Sequence, residues 1–181
     1  MKDPWEIIEQ LSAGDALAVL KTLARDDEHL AVRIAEIATE YLSDVDPEEV
    51  ALMLYHDLNF LEVEEVWDRA GPTRHGYVHP GEAADAMIQE VLDPYLEELK
   101  KYQSLGMKAE ANRMCMGLLL GLFKFDHESP SEFKDWAGGG VGHFDWAVVD
   151  AWKAGGPSRA DRAAVKGFVE EELAGWGAGL V

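Results

Sequence analysis

Residues 108–125 constrain the fold most, because over MCMGLLLGLF the apolar side chains leave no polar face. A helix that is apolar all round has to be covered on every side, so other helices must be arranged around it. Gly117 and Gly121 lie one turn apart and leave a smooth strip along which a neighbour can approach. Their G-x-x-x-G spacing also occurs in membrane dimers, but this apolar run is far shorter than the ~18 residues that a span requires.

Elsewhere the apolar spacing is helical nearly throughout, and no alternating strand pattern competes with it, so the expected fold is all-α. Asp3 and Pro4 open a short first helix that ends at residues 11–14. A second helix, 15–25, is expected to bury Leu17, Leu20 and Ala24. The third follows Asp26 or Asp27 almost at once and places Leu30, Ile34, Ile37 and Tyr41 on one face, so these two helices should be antiparallel neighbours. Asp46 caps a fourth helix with Pro47, Glu48 and Glu49 in its first turn and an inward stripe of Val50, Leu54, Leu58 and Leu61. Residues 63–69 make a short helix broken by Gly71 and Pro72.

The longest helix, 80–105, carries Ala84, Ile88, Val91, Tyr95 and Leu99 inward, with Pro94 predicting a kink or two abutting helices. Ser129, Pro130 and Glu132 have the form of a capped start for a short helix bearing Phe133 and Trp136. The glycines of 138–142 then read as a flexible hinge. A helix over 142–153 presents Phe144, Val148 and Trp152, and Ser158 caps a last one that turns Val165, Phe168, Val169 and Leu173 inward. Residues 175–181 are expected to fray. Together the antiparallel pairs would form a compact helical bundle or a short irregular HEAT-like α-solenoid; DDEHLAVRIAEIATEYL resembles the second helix of a HEAT repeat.

A length of 181 residues with 48% hydrophobic side chains supports one sizeable core, and the expectation is a single domain over 1–181. The formal charge is −19, and residues 1–70 alone hold 18 acidic against 5 basic side chains. No basic stripe exists to displace counterions from phosphates, so direct nucleic-acid binding and docking on an anionic membrane are both disfavoured. Cys115, the one cysteine, lies in the apolar run, where a thiol acts as a small buried hydrophobe. The N-terminus carries charge where a signal peptide needs an apolar core, which leads to a cytoplasmic protein.

Chemistry is concentrated in DRAGPTRHGYVHPGE, residues 68–82. His75, His79 and Glu82 have H-x-x-x-H-x-x-E spacing, which a continuous helix would gather as a metal triad. Gly76 and Pro80 place both histidines in irregular backbone, and a zincin needs Glu directly after its first His, where Gly76 stands. The favoured reading is a loop pinned by Asp68 and Glu82 pairing with Arg69 and Arg74, or a polar and aromatic contact patch. His56 with Asp57, His127 with Asp126, and His143 with Asp145 are local clusters without an activated nucleophile; Ser12, Ser129 and Ser158 are explained as caps, and GGGVG lacks the Lys and Ser or Thr of a phosphate loop.

The region 67–125, with its W-D-R, a following Arg, G-Y-V and a Pro before a helix, then L-G-M and G-L-L-L-G-L, resembles an uncharacterised helical region found beyond SWIM zinc fingers in bacterial and archaeal proteins. The C-x-C and C-x-H ligands of the finger itself are not in this chain, so the resemblance implies an accessory helical scaffold and carries over no chemistry. The resulting expectation is a noncatalytic helical protein-interaction or scaffold module without a cofactor or metal, binding an unidentified protein and compatible with a homo-oligomer. Its candidate binding residues are Trp67, Asp68, Arg69, Arg74, His75, Tyr77, His79 and Glu82, with no catalytic residue assigned. The alternative is a small metal- or anion-dependent enzyme using the same loop. One consequence is measurable: Leu119→Ala should lower the unfolding free energy by roughly 2–5 kcal/mol through the cavity it leaves, whereas a loss under about 0.5 kcal/mol would place the segment at the surface.

Overall fold

The computed structural model describes residues 3–74, 76–173 and 175–176, and among them the fold is all-α apart from one small hairpin. The helices are α1 (Pro4–Ile8), α2 (Ala13–Asp26), α3 (Glu28–Leu42), α4 (Pro47–Asn59), α5 (Val63–Arg69), α6 (Pro80–Ser104), α7 (Lys108–Glu128), α8 (Phe144–Ala154) and α9 (Arg159–Glu172). Two 3-10 turns, Glu132–Trp136 and Val141–His143, link α7 to α8. Contacts gather the chain into two compact units, Met1–Asp44 and Val45–Val181. Among the described residues no helix is long and apolar enough to cross a membrane.

In the first unit α2 and α3 form a helical hairpin around Asp27, which ends α2 and caps α3 by accepting the backbone N–H of His29 at 2.8 Å and of Leu30 at 3.2 Å. Ser12 caps α2 in a reciprocal box with Asp15. The antiparallel neighbours expected from the short link are present, but their predicted core is not. Neither helix contains a buried residue; Leu17, Leu20, Leu30, Ile37 and Tyr41 are all exposed, and Ala24 and Ile34 only half-buried. Two helices can cover only the side that each turns to the other.

The second unit is a bundle around α7, which α4, α6, α8 and α9 all contact. Leu118, Leu119, Leu122 and Phe125 are fully enclosed, as the all-round apolar sequence requires. Against the glycine strip lies α4: a Cβ on Gly117 would stand 2.6 Å from Val50 Cβ and 2.7 Å from the Pro47 carbonyl oxygen, and one on Gly121 3.0 Å from the Ala51 carbonyl. Asp46 caps α4 as expected, and Val50, Ala51, Leu54 and Leu58 are buried, while Leu61 is only half-buried. Through Pro94 α6 continues as a single helix, so of the two outcomes expected there, a kink or two abutting helices, the second is not observed.

Polar side chains tie the helices together where apolar packing ends. Trp152 Nε1 donates to Asn112 Oδ1 at 2.9 Å, and Asn112 Nδ2 donates to Asp161 Oδ1 at 2.7 Å, joining α7, α8 and α9. Asp161 also belongs to the Ser158 capping box of α9, and these hydrogen bonds hold its carboxyl below the usual carboxylate range. Gln103 of α6 donates to the carbonyls of Ala151 and Trp152, both at 3.0 Å. Ser129 is not the N-cap expected: it is buried at the C-terminal end of α7, and its hydroxyl donates to Asn59 Oδ1 at 2.5 Å, leaving Ser131 to cap the following turn. Within α9 Val165 and Val169 are buried with Leu173 beyond them, and Phe168 is half-buried. Of the expected frayed tail, residues 177–181 lie outside the described residues.

Two glycine substitutions test the packing. Gly117→Ala should destabilise by roughly 1–3 kcal/mol, because the Pro47 carbonyl cannot retreat without moving α4 and the overlap exceeds the ~1 kcal/mol of helix propensity gained. Gly167→Ala, on an open face of α9 with nothing within 4 Å, should be neutral or stabilising by up to ~1 kcal/mol. Equal effects in urea unfolding would refute the close α4–α7 approach.

Candidate functional site

The polar segment 68–82 folds as a hairpin between α5 and α6, where an irregular loop was expected. Strands β1 (Gly71–Thr73) and β2 (Gly76–Val78) pair antiparallel with Pro72 opposite Tyr77. Three-residue strands are too short to show alternation in sequence. Gly71 and Gly76 supply φ of 123° and 140°, values that L side chains rarely adopt. Thr73 Oγ1 donates to the Gly76 carbonyl at 3.0 Å across the turn.

Arg69 turns away from the predicted partners, Asp68 and Glu82, and holds Glu90 of α6 through both carboxylate oxygens at 2.8 Å, with Glu65 at 3.9 Å. Asp68 adjoins Arg69 on α5, where neighbouring residues point to different faces, and Glu82 lies about two turns before Glu90 on α6, the helix that α5 packs against. The Glu90 hydrogen bond raises the guanidinium pKa further still. Glu82 accepts the His79 backbone N–H at 3.1 Å, so its carboxylate closes the first turn of α6. Arg74 is exposed and makes no ion pair among the described residues. His75 lies outside the described residues, and among those described no three His, Cys, Asp or Glu side chains are grouped to hold a metal.

Two aromatic pairs come together here. Trp67, 56% exposed, meets Trp136 edge to face with centroids 5.0 Å apart, and Tyr77, 59% exposed, meets the His79 ring at 5.1 Å. Trp136 belongs to the stretch read as preceding a hinge, but that stretch is packed down. Gly138 N–H donates to Asp85 Oδ1 at 2.9 Å, and a Cβ on Gly81 would stand 3.1 Å from Gly138 Cα. Trp67 is therefore backed by Trp136 and Tyr77 by His79, while Trp67 and Tyr77 each keep more than half of their surface exposed. That arrangement suits contact, since a rigid ring loses little entropy when it is covered.

One ionisable group, named in the sequence only as a neighbour of His143, is buried. Asp145, in the first turn of α8, is 2% exposed, and its Oδ1 has no hydrogen-bond partner among the described residues. Burial, and then the Asp126 carboxylate, push its pKa up from 3.8 to about 8. The helix N-terminus favours the anion, but desolvation outweighs it. A signal was present: Phe144, Asp145, Val148, Val149 and Trp152 are the buried set of α8, and their spacing puts position 145 on its inward face. Cys115 is likewise buried, which raises its thiol pKa far above the reactive range. Comparison with models of known protein families, with characterised proteins and with solved structures gave no match.

Asp145 makes stability depend on pH. The folded carboxyl keeps its proton to about 8 while the unfolded one loses it near 3.8, so the contribution is fully present below 3.8 and falls as pH rises through about 8. In Asp145→Asn this component should vanish. The parent should therefore lose unfolding free energy relative to the variant steadily from pH 4 to pH 8; a difference independent of pH would mean that Asp145 ionises in the folded chain as it does in the unfolded one.

Proposed function

We propose that this protein is a noncatalytic helical interaction module, and that its contact surface lies on segment 67–82. The observation that carries this reading is the pair Trp67 and Tyr77, large aromatic side chains more than half exposed on a braced framework. Trp and Tyr supply contact area at little conformational cost and dominate interface hot spots. Exposed Arg74 and Asp68 would border the patch, and the Arg69–Glu90 pair would fix α5 against α6 behind it. The resemblance of 67–125 to a helical region beyond SWIM zinc fingers agrees with an accessory helical scaffold.

A metal- or anion-dependent reaction at this segment finds less support. Arg69 is engaged by Glu90, and Glu82 would have to leave the α6 cap before serving as a ligand.

A photo-crosslinking amino acid at position 77 tests the proposal in the native cell. It should yield one discrete protein adduct, absent when the probe is at exposed Leu52 and reduced at least tenfold by Trp67→Ala, the effect of losing ~1.4 kcal/mol at a hot spot. Adducts indistinguishable between positions 77 and 52 would sink this reading.

A further inference from the structure

We infer that the N-terminal unit, residues 3–44, is a self-association module in which the α2–α3 hairpins of two copies close a four-helix bundle. Leu20 and Leu23 of α2 and Leu30, Ile37 and Tyr41 of α3 are 40–83% exposed, and no described residue of these helices is buried. The stripe Leu30, Ile34, Ile37 and Tyr41 advances by 4, 3 and 4 residues, and Ala16, Leu20 and Leu23 by 4 and 3. That is the seam spacing of bundles and coiled coils.

Size and shape both favour a second copy as the occupant. The helices have 14 and 15 residues, so each is a little over 20 Å long and the hairpin is half of an antiparallel bundle. A chain segment of this length cannot bury enough surface to be stable alone. The exposed large hydrophobics of α2 and α3, Leu17 to Tyr41, leave on the order of several hundred Å² of apolar surface open, the scale of the ~800 Å² that one partner contributes to a stable interface. A twofold axis sets the stripe against itself and needs no other complementary shape.

Charge separates this occupant from a cationic helix. Residues 3–44 hold ten acidic and three basic side chains, so two copies repel at long range and their association should tighten as salt screens them. Around the stripe both signs occur: Arg33 and Glu40 are each one turn from Ile37, and Asp26 and Asp27 are one turn from Leu23 and Leu30.

Sedimentation equilibrium of the full chain up to about 200 µM should give a monomer–dimer equilibrium that is tighter at about 1 M than at about 0.15 M salt. Ile37→Glu and Leu20→Glu should each raise the dimer Kd by roughly 100-fold at unchanged helix content, because each buries an unpaired carboxylate. Leu52→Glu, exposed on α4, should leave it unaltered. Should either Glu variant lose helix, oxidation of a Leu20→Cys chain decides: it should be trapped as a disulfide dimer where Leu52→Cys is not. A parent that stays monomeric throughout, a helical Ile37→Glu chain that dimerises like the parent, or equal trapping at positions 20 and 52 would overturn the inference. So would a monomeric parent that binds a Leu/Lys amphipathic peptide, an association weakened by salt, which would assign the face to a basic helix.

Discussion

The second unit depends on the approach of α4 to the glycine strip of α7. Because Gly117 and Gly121 have no side chains, backbone atoms of α4 can settle at positions a methyl group would occupy, and Val50 and Leu54 reach the centre of the bundle. Dispersion falls off steeply with distance, so a shift of even an ångström here would forfeit contact along several turns. With α4 fixed, Asn59 at its C-terminal end meets Ser129 beyond α7, and Lys134 closes the corner by donating to the carbonyls of Asp126 and Ser129. That corner directs the chain toward Trp136 and Gly138, which brace the aromatic segment. A contact between two helices is thus transmitted to the exposed aromatic segment.

Much of this was legible because the signals were local or extreme. An apolar run without a polar face can only be central, and Asp3, Asp46 and Ser158 announce helix starts through side chains that accept backbone N–H groups within three residues. Features settled by distant partners were not legible. Ser129 has the form of a cap, yet Asn59, 70 residues away, takes its hydroxyl. Arg69 had two acidic residues nearby in sequence and chose a third on another helix. In the first unit the stripe was read correctly and its burial was not, because spacing tells which face is apolar and says nothing of what covers it.

At the candidate site, the residue types were legible in the sequence and their partners were not. Residue types drew attention to 68–82, but ion pairs expected within the loop run instead to α6, and Trp136, from a stretch read as adjoining a hinge, supplies the support for Trp67. Asp145 was visible as a charge on the buried face of α8, yet it stood out only as a neighbour of His143, because a charge on that face is too costly to be expected. Its burial shows that position on the helix wheel can outweigh residue type.

The enclosed carboxyl of Asp145 also changes the stoichiometry of folding. Near neutrality the unfolded chain carries it as an anion and the folded chain as an acid, so each molecule that folds withdraws a proton from solution. Heat absorbed on unfolding therefore includes the ionisation heat of whatever buffer receives that proton. Two calorimetric scans at one pH, in buffers of different protonation enthalpy, will differ by that amount although nothing in the protein has changed.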